Sequence, residues 1–140
     1  MPATSASLKP GSLPAALGRG LLAAVAAGIL GSIVHASMFY IGSVPVPWGV
    51  ALAWLFLGLL VYWAAAASGR LLAGAIGFIG CYAVTGLLSF AGHDQLILSL
   101  AYFKYLPGPA LASVLWTYGM VLPAVAGLLA ALRVLRRRHR

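Results

Sequence analysis

Fifty consecutive residues, 20–69, contain no Lys, Arg, Asp or Glu. Only 7% of the whole chain is charged and 63% is hydrophobic, whereas soluble proteins carry roughly 25% charged residues. Because about 20 apolar residues cross a bilayer core as a helix, this uncharged stretch is long enough for two spans. The pattern excludes a soluble globular domain and predicts a membrane protein.

The gaps between charged residues and the helix-breaking prolines predict an all-α membrane protein, a bundle of four transmembrane helices. The predicted helices cover residues 21–41, 47–67, 71–92 and 109–131, within a transmembrane domain of residues 20–132. Pro123 is expected to kink the fourth helix, because proline lacks a backbone donor. Residues 1–19 are expected to form a disordered cytoplasmic leader, and residues 133–140 a basic cytoplasmic tail.

The N-terminal region allows a second interpretation. Two bases, an apolar run and the sequence Val34-His35-Ala36 resemble a secretory signal with a small-x-small cleavage site. The apolar stretch continues to Ile41, however, which is long enough for a full span. A retained first helix is therefore the main expectation, and cleavage is the alternative.

The basic residues predict the orientation. Eight of the nine precede the first helix, join helices 2 and 3, or follow helix 4, and only Lys104 lies on the other side. The positive-inside rule then predicts that both termini are cytoplasmic. The lipid bilayer is the expected partner and nucleic acid is not. The residues expected to fix topology and contact lipid headgroups are Arg133, Arg136, Arg137, Arg138 and Arg140.

The segment 95–109 between helices 3 and 4 is apolar but too short to span a membrane. Its aromatic residues and Lys104 predict that it lies in the outer interface. A short re-entrant segment is the alternative. His93, Asp94 and Lys104 form a candidate outer-loop site, with a local ion pair as the simpler explanation.

Two helices carry stripes of small residues at helical spacing. Membrane helices associate through close backbone approach, so helices 1 and 3 are expected to form the core pair. The expected packing residues are Gly28, Gly31, Gly74, Gly77 and Gly80.

His35 lies on the small-residue face of helix 1 and is expected about six residues below the outer end of that helix. An ionisable residue inside a membrane is a candidate functional site, although a neutral imidazole bonded to a hydroxyl is the simpler reading. Depth matching gives a candidate intramembrane polar site of His35, Thr85, Thr117 and Tyr118.

No pattern in the sequence points to catalysis or to a cofactor. The chain has one acidic residue and a single cysteine, Cys81, and it lacks HExxH and CxxC motifs. No catalytic residue, metal site or cofactor is expected, and the protein is not expected to be an enzyme.

The layout resembles small, uncharacterised four-span integral membrane proteins of actinobacteria. The similarity lies in the Gly- and Ala-rich first helix, the sequence Val-Pro-Val-Pro-Trp-Gly at 44–49, Gly-His-Asp at 92–94, and the basic tail. The resemblance implies the topology and a location in a bacterial plasma membrane, but no chemistry.

These features favour a non-enzymatic accessory or scaffold subunit of a plasma-membrane assembly, with a membrane-protein partner or as a homo-oligomer. The alternative is a small oligomeric transporter or channel with a path near His35.

Overall fold

The computed structural model describes residues 11–90 and 97–138. Within them the elements run in the order α1 (Leu13–Val34), β1 (Phe39–Ile41), β2 (Val44–Val46), α2 (Trp48–Ser68), α3 (Leu71–Phe90), α4 (Pro107–Gly119) and α5 (Val121–Arg138). A single 3₁₀ turn, Leu100–Tyr102, precedes α4.

The fold class predicted from the sequence is confirmed. The described residues contain four helices that are long and apolar enough to cross a membrane, with α4 and α5 together forming the fourth. The protein is therefore an all-α, multi-pass membrane bundle. The two ends of the bundle differ. The hairpin end carries β1, β2 and residues 97–106, and the basic end carries Gly11, the turn at residues 68–70 and the last turns of α5.

The first helix begins and ends earlier than the sequence predicted. It covers Leu13–Val34 rather than residues 21–41, so residues 13–19 belong to a helix and not to a leader. Pro14 stands in its first turn, where its fixed φ angle suits a helix start. The charge pattern predicts that the first helix starts after Arg19, but Arg19 lies within α1. A long arginine side chain can, however, extend from within a helix towards the membrane surface.

The last helix extends further than predicted. Instead of ending near residue 131, α5 continues to Arg138, so residues 133–138 of the expected tail are helical. Residues 139–140 lie outside the described part of the chain. The other predicted bounds differ by smaller margins: α2 covers Trp48–Ser68 and α3 covers Leu71–Phe90.

A β-hairpin replaces the end of the predicted first helix. Phe39 pairs with Val46 and Ile41 pairs with Val44, around a two-residue turn that begins with Gly42. Gly42 has a φ of 62°, which is the positive angle that a hairpin turn with glycine in its first position requires. The paired residues are mostly aromatic or β-branched, which favours strands.

The fourth span is interrupted near Pro123, as expected. α4 ends at Gly119 and α5 begins at Val121. Proline has no N–H to bond the carbonyl four residues earlier, and its ring crowds that carbonyl, which here belongs to Gly119. The interruption therefore falls at Met120, three residues before the proline itself.

Helices α1 and α3 make the most extensive contact in the bundle. A methyl group added at Gly80 would lie 2.5 Å from Cβ of Ala24, and one added at Gly28 would lie 2.6 Å from Cβ of Val84. The two backbones are thus closer than any larger residue would allow at these positions. Van der Waals contact of this kind is what holds helices together in hydrocarbon.

Helix α2 occupies the centre of the bundle. It contacts α1, α3 and α5, and Leu57 and Val61 are fully buried. Trp48 and Trp63, near its two ends, are exposed at the depths where interfacial tryptophans occur.

We expect Gly80→Val to destabilise the bundle by about 1–3 kcal/mol, the usual cost of overpacking a filled core. The added atoms would collide with Ala24 on α1. The measurement is thermal unfolding of the purified protein in detergent.

Gly86→Val is the matched control, since it lies on the same helix and nothing is within 4 Å of its added Cβ. Equal destabilisation by both variants would contradict the assignment of Gly80 to the α1–α3 contact.

Candidate functional site

Three polar side chains from three helices meet inside the bundle. Trp116 Nε1 on α4 donates to Ser32 Oγ on α1 at 3.4 Å, and Ser32 Oγ lies 3.4 Å from Thr85 Oγ1 on α3. All three residues are at most 2% exposed. Because a hydroxyl can accept and donate at once, Ser32 can link the indole to the threonine. We call Ser32, Thr85 and Trp116 the polar cluster.

His35 adjoins the polar cluster. Its ring stacks on Trp116 with 6.1 Å between ring centroids and 21° between planes. Nδ1 lies 2.6 Å from the backbone oxygen of Ser32. Since a carbonyl oxygen can only accept, Nδ1 carries a hydrogen, and in the neutral form of the ring the lone pair is then at Nε2. Nε2 is buried and has no hydrogen-bond partner among the described residues.

The position of His35 differs from the sequence-based expectation. The residue is the C-cap of α1, directly after Val34, because the helix ends before the hairpin. It is nevertheless fully buried. Gly49 N donates to Ser37 O at 3.0 Å, so the start of α2 lies close against the chain that leaves α1. The predicted hydroxyl partner is wrong as well, because Nδ1 bonds a carbonyl instead.

The structure divides the other residues of the predicted intramembrane site. Thr85 belongs to the polar cluster. Thr117 Oγ1 is buried but has no partner among the described residues, and Tyr118 is 70% exposed. Successive helical residues are turned by about 100°, so the burial of Trp116 directs Tyr118 away from the bundle. Tyr118 is therefore not part of the buried site.

The sequence analysis did not include Ser32 and Trp116 in the site. Ser32 lies three residues before His35 and so shares its helix face. That spacing was the available signal for Ser32. The signal for Trp116 was weaker, because depth matching places it level with Thr117 but a tryptophan at that depth is equally suited to facing lipid.

A cleft of about 330 Å³ lies at the hairpin end, between α3, α4 and residues 97–100. Ser113 Oγ accepts a hydrogen bond from Leu98 N at 3.0 Å, which fixes residues 97–100 against α4. Among its other lining residues are Ser89, Ser99, Thr117 and Tyr118.

Residues 97–106 place several large apolar side chains on the surface, including Phe103 and Tyr105. This is the exposure expected of a segment in the membrane interface. Lys104 is exposed in the same segment. Its predicted companions, His93 and Asp94, lie outside the described residues.

The predicted packing glycines all lie at close contacts. Gly28, Gly77 and Gly80 face the partner helix of the α1–α3 pair. Gly31 faces the Trp116 ring, and Gly74 lies against the α2 backbone and Leu128 of α5. Gly31 thus makes the space in which the indole reaches Ser32.

The predicted headgroup residues Arg133, Arg136, Arg137 and Arg138 belong to the last turns of α5, where Arg136 to Arg138 are exposed. Arg140 is outside the described residues. Across residues 11–90 and 97–138, no group of three His, Cys, Asp or Glu side chains is placed to hold a metal ion. Cys81 is buried in the core.

No protein-family model, curated protein or solved structure matches this chain. The resemblance to actinobacterial four-span proteins therefore stays a prediction.

We expect Ser32→Ala to lower the free energy of unfolding by about 1–3 kcal/mol. The change leaves the buried Trp116 Nε1 and the Thr85 hydroxyl without their common partner. The measurement is thermal unfolding in detergent. The fluorescence of Trp116 is obtained by subtracting the signal of a Trp116→Phe variant.

Ser89→Ala is the control, because its hydroxyl donates only to the Thr85 carbonyl of its own helix and is partly exposed. If the hydrogen bonds of the cluster matter, Ser32→Ala and Trp116→Phe should be non-additive in the double variant. Strict additivity would argue against coupling between these two side chains.

Proposed function

We propose that the protein is a non-enzymatic accessory or scaffold subunit of a bacterial plasma-membrane assembly, with both termini cytoplasmic. The observation that carries this proposal is the closed interior of the bundle. The side chains of the polar cluster bond one another at the hairpin end, and small residues fill the half nearer the basic end. The arginines concentrated at the basic end support the orientation through the positive-inside rule.

The filled half of the bundle speaks against a path through a single chain. A methyl group at Gly20 would lie 2.8 Å from Ala73 O, and one at Gly77 would lie 3.3 Å from Ala23 Cβ. A solute that passed His35 would have to separate α1 from α3 across this layer. The filled layer bears only on a path within one chain, and a flux measurement tests the oligomeric transporter.

The surface on which we expect a partner protein to bind is a lateral groove. It lies between α2 and α5, has a volume of about 400 Å³, and is apolar. Its lining combines larger residues such as Trp54 and Tyr62 with four small ones: Gly58, Ala126, Gly127 and Ala130. Because small residues permit close helix approach in hydrocarbon, the groove suits an apolar transmembrane helix of a partner protein.

The proposal predicts a stoichiometric membrane-protein partner. The tagged full-length chain would be extracted from its native membrane with a mild detergent, purified and analysed by quantitative mass spectrometry. A constant molar ratio to one other membrane protein is expected. Recovery of this chain alone, as a monomer or a clean homo-oligomer, would contradict a scaffold role.

Groove variants test where the partner binds. Ala130→Phe fills the groove and should reduce the recovered partner at least about tenfold, since a lost close contact of roughly 1.4 kcal/mol has that effect. Ala83→Phe is the control, because Ala83 is exposed on α3 and does not line the groove. Equal losses in both variants would exclude the groove as the docking surface.

A flux measurement separates the two functions. In proteoliposomes the scaffold proposal predicts no proton or solute flux above that of empty vesicles, and no effect of His35→Ala. A flux that His35→Ala abolishes, while the variant still unfolds at the wild-type temperature, would favour the transporter instead.

A further inference from the structure

Three arginines from different parts of the chain meet around the turn between α2 and α3. Arg70 Nε, in the turn, donates to Gly11 O at 3.0 Å. Gly11 N in turn donates to Ser68 O at 3.0 Å, and Arg138 NH1, from the end of α5, donates to Ala66 O at 3.4 Å. These bonds tie the start of the chain and the end of α5 to the last turn of α2.

Arg19 of α1 completes the group. Its Nη1 lies 3.5 Å from where a Cβ on Gly11 would be, so its guanidinium lies close to Gly11. We call Arg19, Arg70 and Arg138 the arginine triad. No side chain among the described residues is acidic, so the three positive charges have no counter-charge within that part of the chain.

The hydrogen bonds leave most of the guanidinium donors free. An arginine has five N–H donors, and Arg70 and Arg138 each use one on a backbone carbonyl. A guanidinium held by one edge is oriented and can present another edge to an oxyanion. Paired donors of this kind match the two oxygens of a phosphate.

Apolar surface adjoins the triad on the side of the hydrocarbon. Leu22 on α1 and Leu71 and Leu72 on α3 are exposed, within one turn of Arg19 and Arg70. A ligand with phosphates at one end and acyl chains at the other fits both surfaces. Basic pockets between helices at a membrane surface bind anionic headgroups in this way.

We propose that the arginine triad is a binding site for two linked phosphates of an anionic phospholipid headgroup. Three guanidiniums, two of them held by a hydrogen bond, carry more positive charge than a single phosphate would neutralise. The site differs from the basic α5 tail as a whole, because Arg133, Arg136 and Arg137 are outside it. The proposal does not depend on the scaffold function.

The test measures lipid affinity of the full-length protein in a neutral detergent at fixed salt. The probes are diphosphatidylglycerol, phosphatidylglycerol, phosphatidylcholine and inorganic pyrophosphate. The lipid with two phosphates should bind at least about tenfold more tightly than the lipid with one, as one additional guanidinium–phosphate contact of roughly 1.4 kcal/mol would give. Phosphatidylcholine should bind most weakly.

Two triple variants that lose the same charge distinguish binding at the arginine triad from attraction by the overall positive charge of the basic end. R19Q/R70Q/R138Q should weaken binding of diphosphatidylglycerol about 100-fold, since each arginine near a membrane surface contributes roughly 1 kcal/mol. R133Q/R136Q/R137Q should weaken it less than about tenfold, because distant exposed charges are screened.

The single variant R138Q is the control for misfolding of the triple variant, since Arg138 is exposed and its bond to Ala66 O is long. It should keep the wild-type unfolding temperature and lose about fivefold in affinity, as expected from roughly 1 kcal/mol. Equal losses in the two triple variants, or equal affinity for the two anionic lipids, would overturn the site. If pyrophosphate binds as tightly as diphosphatidylglycerol, the ligand is a soluble phosphate compound and the lipid assignment is overturned.

Discussion

The close approach of α1 and α3 is the constraint on which the rest of the bundle depends. In hydrocarbon, two apolar helices gain nothing from leaving lipid unless their backbones come close enough for dense van der Waals contact. Gly28 and Gly80 permit that approach from opposite sides of the pair. A single added methyl group at either position would meet a β-carbon of the facing helix, so the spacing of the pair is set by the absence of side chains.

The polar cluster follows from this spacing. Ser32 on α1 and Thr85 on α3 have short side chains, and their oxygens are 3.4 Å apart only because the helices are close. Gly31 then leaves room for the Trp116 ring, which brings α4 against the pair. Buried polar groups in a bilayer have no water to bond, so the cluster favours one register of the three helices. The histidine at the end of α1 stacks on the same ring.

Sequence reasoning found the features that depend on composition and periodicity, and it failed where the chain had two comparable options. The spans and the packing glycines follow from apolar length and a 3.6-residue repeat. Residues 35–41 are apolar enough for a helix or for a strand, and the pairing of Phe39 with Val46 decides for the strand. The predicted start of the first helix was wrong because the charge of Arg19 was expected to lie outside the helix. An arginine side chain can, however, extend to the surface from within a helix. Tyr118 was wrongly included in the predicted site because its depth along the helix was matched without the direction in which its side chain leaves the helix.

The two ends of the bundle satisfy their helix termini in different ways. At the hairpin end, α1 ends at His35, and the chain closes over it through Ser37 and Gly49. At the basic end, the last carbonyls of α2 accept bonds from Gly11 N and the Arg138 guanidinium. The carbonyl end of a helix carries partial negative charge, so arginine is well suited to that end. Arg138, which bonds a carbonyl of α2, remains positively charged at the surface, and this is why helix capping and anion binding can coincide there.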